Sequence, residues 1–239
     1  MVFTESGIAG GTVFVLVHGI GMGRIVFDGV AEILGEHGKV YAVDLPGFGD
    51  SPEPGSAHSI EMTAELMAQF IVDESLGRVV LVGHSMGTQV AAEIAAAHRE
   101  LVDGLVLIAP TANRHERTAR RQAARMIQDL SGESPKVLAL GMVEYAKTSP
   151  LWFSRKLAIM LDHRLEDVCP RISVETLVLR GETDRVCPRE WVAEVTEALP
   201  HGIMREIPGR GHEAVIKSPQ PVASMILEHA SKGGSPARL

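Results

Sequence analysis

Long apolar runs are missing from this 239-residue chain. The first apolar stretch, Thr12 to Val17, is far shorter than the roughly 20 residues a membrane-spanning helix needs, and no basic segment precedes it as in a secretory leader. It reads instead as a buried strand, and a membrane partner is not expected. Cysteine is nearly absent. Cys169 and Cys187 are too few for a disulfide framework and lack CxxC or Cys/His metal spacing, so they read as reduced thiols of a cytoplasmic protein, with a pairing between them left open. Basic charge is also in deficit, 23 Lys and Arg against 30 Asp and Glu for a net charge of −7. That is the wrong sign for neutralising nucleic-acid phosphates or binding anionic lipid. Internal repeats and low-complexity tracts are absent, apart from a tail, Ser231 to Leu239, with the composition of a frayed terminus.

What remains is ordinary globular material, 45% hydrophobic and 22% charged in 25.7 kDa, enough for a single domain with one core. Runs rich in Val, Ile and Leu recur at Thr12–Val17, Val40–Val43, Arg78–Val82, Leu105–Ala109, Thr176–Leu179 and Ile203–Ile207. Most lack a polar alternate face, as strands buried on both sides of a parallel sheet do. Helix-length segments separate them. Ser59 to Glu74 carries Ile60, Thr63, Leu66, Met67, Phe70 and Ile71 at helical spacing, and Ser85 to His98 is alanine-rich. Strand and helix in alternation predict a mostly parallel, doubly wound α/β sheet. The alternation breaks between Pro110 and Pro170, where Ala112–Leu130, Pro135–Lys147 and Leu151–Leu161 all read as helix. Ligands bind beyond the carboxyl ends of the strands in such sheets, so this insert, at about 110–170, is expected to cover the site as a helical cap.

The strongest chemical signal is Gly83-His84-Ser85-Met86-Gly87, a GxSxG at the junction of a buried strand and a helix. Glycines at both ends let strand and helix pack closely while Ser85 is held on a strained turn above the sheet. A serine hydroxyl needs a base, and the base an orienting acid. Of the ten histidines, His212 follows the last strand in Gly211-His212, where a loop at the sheet's carboxyl edge brings it over Ser85. His98, His163 and His229 lie in or at the ends of helical patterns and read as surface residues, while His18 and His84 read as loop-shaping. Asp184, in Gly-Glu-Thr-Asp after the Thr176–Leu179 strand, is the expected acid, with Glu182 its local competitor. The chain order Ser, Asp, His is the one this type of elbow uses.

At this point the chain resembles the α/β-hydrolase family over nearly its whole length, as a carboxylesterase-like serine hydrolase. Val-His18-Gly19-Ile20-Gly21 looks like the family's oxyanion loop and Asp44-Leu-Pro-Gly47-Phe-Gly49-Asp-Ser51 like its next turn. Ser85, Asp184 and His212 look like its triad. The resemblance implies an oxyanion hole from the N–H groups of Ile20 and Met86, with each such donor typically worth about 3 kcal/mol to a transition state. It implies no metal or organic cofactor. Serine at the elbow argues against the family's dehalogenases and epoxide hydrolases, which use aspartate there. Only eleven residues precede Thr12, too few for the family's two-strand opening, so an edge strand is expected to be missing.

Competing readings differ in what they leave unexplained. Gly19, Gly21 and Gly23 after a strand suggest dinucleotide binding, but Arg24 stands where GxGxxG needs glycine. The insert carries Arg114, Arg117, Arg120, Arg121 and Arg125, either a solvated helix face or a basic surface for an acyl carrier protein, which would make the protein a thioesterase. Leu138, Met142, Leu151, Trp152, Phe153, Ile159 and Met160 either line an acyl pocket or hold the insert down. Trp152 is the best single pocket wall, given a chain with two Trp, two Tyr and six Phe, and Gly19 joins it as a substrate-contact candidate. Esters, thioesters, lactones, carbon–carbon bonds and perhydrolysis all run on one triad, and a small-ligand receptor can keep it intact.

Overall fold

The computed structural model describes residues 1–130 and 135–233, and their side chains except at positions 130, 135–140, 232 and 233. Along the chain run β1 (Val2–Gly7), β2 (Thr12–Val17), α1 (Asp28–Gly35), β3 (Gly38–Asp44), α2 (Ile60–Asp73), β4 (Val79–His84), α3 (Met86–Ala97) and β5 (Val102–Ile108). Then follow α4 (Ala119–Leu130), α5 (Pro135–Ala146), α6 (Pro150–Asp162), α7 (Leu165–Val168), β6 (Thr176–Gly181), α8 (Arg189–Ala198), β7 (Gly202–Ile207), α9 (Ala214–Lys217) and α10 (Pro219–Gly233). The strands form one seven-stranded sheet in the order β1-β3-β2-β4-β5-β6-β7. All neighbours are parallel except β1 and β3.

Each apolar run becomes a strand, and the central ones are buried on both faces: every residue of β4 and β6 is buried. Phe14, Leu16, Val82, Leu107 and Leu179 pack between the helix layers, each contributing roughly 1.5–3 kcal/mol by leaving water. Helix α2 starts where Ser59 Oγ accepts the Met62 N–H at 3.1 Å, and it buries Ile60, Thr63, Met67, Phe70 and Ile71. That is the predicted stripe, except that Leu66 is exposed.

The N-terminal segment adds one strand that no apolar run marked, so a single strand stands where the resemblance implies a two-strand opening. Val2 to Gly7 forms an antiparallel edge strand in register with Asp44 to Lys39. Its sequence, VFTESG, has no continuous apolar run because an edge strand buries little. Phe3 packs against Tyr41 and Phe70 at centroid distances of 6.1 and 5.0 Å.

The segment between β5 and β6 contains helices and no strand among its described residues, as expected, but α4 begins at Ala119 rather than Ala112. Asn113 Oδ1 accepts the His115 N–H at 2.9 Å, closing a turn that competes with helix. The Arg121 N–H then donates to Thr118 Oγ1 at 3.3 Å. Helix α6 starts at Pro150 behind Ser149, whose Oγ accepts the Trp152 N–H at 3.2 Å, a proline-first start with a serine cap. The arginines of this segment are largely used within the chain. Arg117 meets Glu166 at 2.5 Å, Arg125 meets Glu116 at 2.6 Å and Arg114 meets Glu194 at 2.8 Å. No helix among the described residues is long and apolar enough to cross a membrane.

Candidate active site

The elbow stands at the carboxyl end of the central strand β4. Ser85 has φ +53° and ψ −121°, a conformation costing a non-glycine residue on the order of 1–3 kcal/mol and sustained only where the surroundings over-determine it. They do so here. The Ser85 N–H donates to Ile108 O at 2.9 Å, and Ser85 O accepts from the Thr88 N–H at 2.9 Å and the Thr88 hydroxyl at 2.6 Å. Close approach then demands glycine on either side. A Cβ on Gly83 would lie 2.4 Å from Gly87 O, and one on Gly87 2.2 Å from Val17 O.

The loops after β6 and β7 bring Asp184 and His212 to this point. The Ser85 hydroxyl lies 3.1 Å from His212 Nε2, and His212 Nδ1 lies 3.0 Å from Asp184 Oδ2. Asp184 Oδ1 accepts the backbone N–H groups of Val186 and Cys187, both at 2.8 Å. With the carboxylate facing Nδ1, the tautomer that satisfies both contacts carries its proton on Nδ1 and offers Nε2 to the serine. Burial pushes the imidazole toward its neutral form, but the charge of Asp184 and its hydrogen bond, then the charges of Asp129 and Glu213, outweigh it and hold His212 above its ordinary value. Glu182, the competitor for the acid, points away and accepts the Gly209 N–H at 2.7 Å.

The other histidines separate by partner. His18 donates from Nδ1 to Gly19 O at 2.7 Å and accepts the Leu45 N–H on Nε2 at 3.0 Å, so both ring nitrogens tie loops together. His84 donates from Nε2 to His212 O at 3.1 Å, and burial, reinforced by the neighbouring His212, depresses it to about 3. His163 and His229 are buried, contrary to their surface reading. His163 Nε2 meets Glu93 at 2.8 Å and His229 Nε2 meets Glu175 O at 3.1 Å.

Gly19 lies against Ser85, since a Cβ on it would come within 2.8 Å of Ser85 Cβ, and Ile20 lines the cavity beside them. Met86 is the first residue of α3, so its N–H is among those a helix start leaves without an intrahelical acceptor. Beside Ser85 and His212 opens a cavity of about 350 Å³, walled by Ile20, Met22 and Val26 on one side and by Met126, Met142 and Tyr145 of the insertion on the other. Four larger clefts, of about 450 to 660 Å³, are found among the described residues; one of about 450 Å³ is lined by Asp184, and none is lined by Ser85 or His212.

Trp152 corrects the sequence reading, for it does not line this cavity. It is buried against the turn at Gly47, where a Cβ would lie 2.2 Å from its Nε1. Of the other apolar candidates Met142 lines the cavity, Leu151 is exposed, Met160 is buried in the packing, and the Leu138 side chain lies outside the described residues. Sequence reasoning missed Met126, Tyr145 and Asp129. Helical spacing marks a helix's apolar side but not what that side faces.

Asp184, Cys187 and His212 lie close enough together to present three metal-ligating atoms, as do Glu61, Glu93 and His163. In the first group the carboxylate and imidazole already face one another, and burial raises the Cys187 thiol well above its ordinary value. In the second, Glu93 is shared by His163 and Arg171. Cys169 and Cys187 are both unpaired.

A model of the alpha/beta hydrolase family matches residues 14–225. Among curated proteins, a pimeloyl-[acyl-carrier protein] methyl ester esterase of Yersinia enterocolitica is 24% identical, covering 92% of this chain and 94% of its own. A 2-hydroxy-6-oxo-6-(2'-aminophenyl)hexa-2,4-dienoic acid hydrolase of Metapseudomonas resinovorans is also 24% identical, over 91% of this chain and 83% of its own. Among solved structures, a thermophilic esterase of Thermogutta terrifontis superposes with a TM-score of 0.84 at 24% identity, covering 98% of this chain and 94% of that one.

Proposed function

The chain belongs to the alpha/beta hydrolase family, and from that premise we propose that it is a serine hydrolase cleaving carboxylic esters of apolar, short to medium-length acyl groups. The observation that carries the reading is the continuous line from Ser85 Oγ through His212 to Asp184, at 3.1 and 3.0 Å, beside an apolar cavity. At about 350 Å³ that cavity is at the small end of the roughly 300–1,000 Å³ typical of ligand sites.

In this mechanism Ser85 attacks the ester carbonyl while His212 Nε2 takes its proton. Asp184 holds the imidazole in the required tautomer and stabilises the imidazolium. The Ile20 and Met86 N–H groups receive the oxyanion, which exists only in the tetrahedral state and so is stabilised selectively there. His212 returns the proton to the leaving alcohol, leaving an acyl-serine, and then activates water to release the acid. The helices from α4 to α6 act as a cap on a single catalytic domain. Two buried, unpaired thiols support a reducing, cytoplasmic setting.

An acyl carrier protein as bearer of the acyl group is a second reading, raised by the name of the Yersinia relative. Of the five arginines an acidic carrier could meet, Arg114, Arg117 and Arg125 are engaged in ion pairs within the chain and Arg121 in a bond to the His115 carbonyl, so the free ester is the better-supported substrate.

Steady-state hydrolysis of p-nitrophenyl esters from acetyl to dodecanoyl, with Ser85→Ala beside the unmodified protein, tests the proposal. Serine-dependent turnover with an optimum in the shorter half of the series is expected. Activity should rise with pH as His212 loses its proton, through a midpoint above the ordinary histidine value because its pKa is raised. Full activity in Ser85→Ala, or no turnover by a folded protein together with no reaction of Ser85 with a fluorophosphonate, refutes it.

A further inference from the structure

A second carboxylate reaches the base from outside the loops that carry the triad. Asp129, in the last turn of α4, accepts the His212 backbone N–H on Oδ2 at 2.9 Å and the Arg185 backbone N–H on Oδ1 at 3.1 Å. One insertion side chain thereby ties the loop of the base to the residue following the acid. On its other side the His212 peptide is held as well, since its carbonyl accepts the His84 Nε2–H at 3.1 Å. Glycine at residue 211 leaves room for this approach: a Cβ there would lie 2.8 Å from Asp129 Oδ2. Helix stability does not account for the carboxylate, because the negative end of the helix dipole disfavours an anion in the last turn.

We propose that Asp129 is a positioning residue for His212, so that the insertion assembles the catalytic geometry when α4 docks and does not merely roof the substrate cavity. This rests on the reading of Ser85, His212 and Asp184 as the catalytic triad. With Asp129 removed, the His212 N–H and the Arg185 N–H lose their acceptors and the two loops are free to move relative to one another. Misplacement of a catalytic group by about 1 Å can cost on the order of 100-fold in rate.

The test compares Asp129→Ala and Asp129→Asn with the unmodified protein and with Ser85→Ala. The readouts are kcat and KM on a p-nitrophenyl ester, the rate of Ser85 labelling by a small fluorophosphonate, the pH profile and the thermal midpoint. Asp129→Ala should lose about 30- to 100-fold in kcat and in labelling rate with KM within threefold. Asp129→Asn, which keeps one acceptor oxygen, should fall between. The groups facing His212 are Asp184, Asp129, Glu213, His84 and Cys187. Loss of the Asp129 charge should therefore move the acidic limb of the profile to lower pH in both variants. A lower thermal midpoint with kcat, labelling rate and pH limb unchanged overturns the proposal, and so does a loss confined to KM. If Ser85→Ala itself retains activity, the triad reading fails instead, which separates the two failures.

Discussion

Replacing Asp184 by asparagine alters one atom, and the structure dictates how the amide must sit. Asp184 Oδ1 accepts two backbone N–H groups, from Val186 and Cys187, each at 2.8 Å, while Oδ2 faces His212 Nδ1 at 3.0 Å. An asparagine satisfies the two donors only by putting its carbonyl oxygen on that side, which turns its NH₂ toward the imidazole. Nδ1 must then accept, the proton moves to Nε2, and Nε2 presents a hydrogen to Ser85 Oγ where it should present a lone pair. A tautomer reversal of this kind in a Ser-His-Asp triad costs about 10⁴ in kcat, or roughly 5.4 kcal/mol of barrier at about 1.36 kcal/mol per tenfold. The fold should survive, because both backbone donors keep an acceptor. The assay is steady-state kcat on a p-nitrophenyl ester, with the thermal midpoint as a folding control and Glu182→Gln as comparison. Since the Glu182 carboxylate accepts the Gly209 N–H in its loop, that variant should stay within about threefold of the unmodified protein, the scale of one exposed hydrogen bond. A kcat for Asp184→Asn within tenfold of the unmodified protein, or a larger loss in Glu182→Gln, refutes the reasoning.

Three further expectations concern the elbow, the buried histidines and the cavity. Gly87→Ala drives a Cβ to 2.2 Å from the Val17 carbonyl, so stability measured by urea unfolding should fall by about 2 kcal/mol or more and activity with it; an unperturbed midpoint contradicts the close-approach argument. His84 is depressed to about 3 while an unfolded histidine titrates near ~6.5, so between those values the unfolded chain binds a proton that the native state refuses. Stability therefore falls as pH drops through that window, by up to about 1.4 kcal/mol per pH unit; His18, also lowered by burial, adds the same sign. His212, being raised, opposes it, with a contribution complete below its unfolded value and lost as pH rises through the folded one. The difference in urea midpoint between His84→Gln and the unmodified protein should thus narrow from pH 7 to pH 4.5, and a constant difference counts against a neutral buried His84. Ile216→Trp, on the cavity wall, should shift the acyl-length optimum to shorter esters, and an unchanged optimum would show that the acyl chain lies elsewhere.

The residues of the candidate site were legible because their signals are local or ordinal. The elbow is built by five consecutive residues whose glycines answer contacts that any strand-to-helix junction of this kind makes, and Asp184 and His212 were found by standing just past strands. Burial on both faces made β4 and β6 readable as continuous apolar runs. The edge strand β1 was not readable, because a strand paired on one side only and largely exposed needs no such run, and it emerges from its register with β3.

Trp152 and Tyr145 show where the sequence stops. Both lie in helices of the insertion, yet Tyr145 lines the cavity while Trp152 is spent against Gly47. Asp129 carries no sequence signal beyond its place in a helix, and it lies against the His212 backbone. By itself the sequence determined the strand and helix alternation, the strained serine turn at Ser85 and the places of Asp184 and His212 just past strands, all consequences of short-range sterics and burial. Only the tertiary structure decided which insertion side chains share a cavity with Ser85. That depends on the angle and rotation at which helices dock, and many dockings satisfy one apolar pattern equally well.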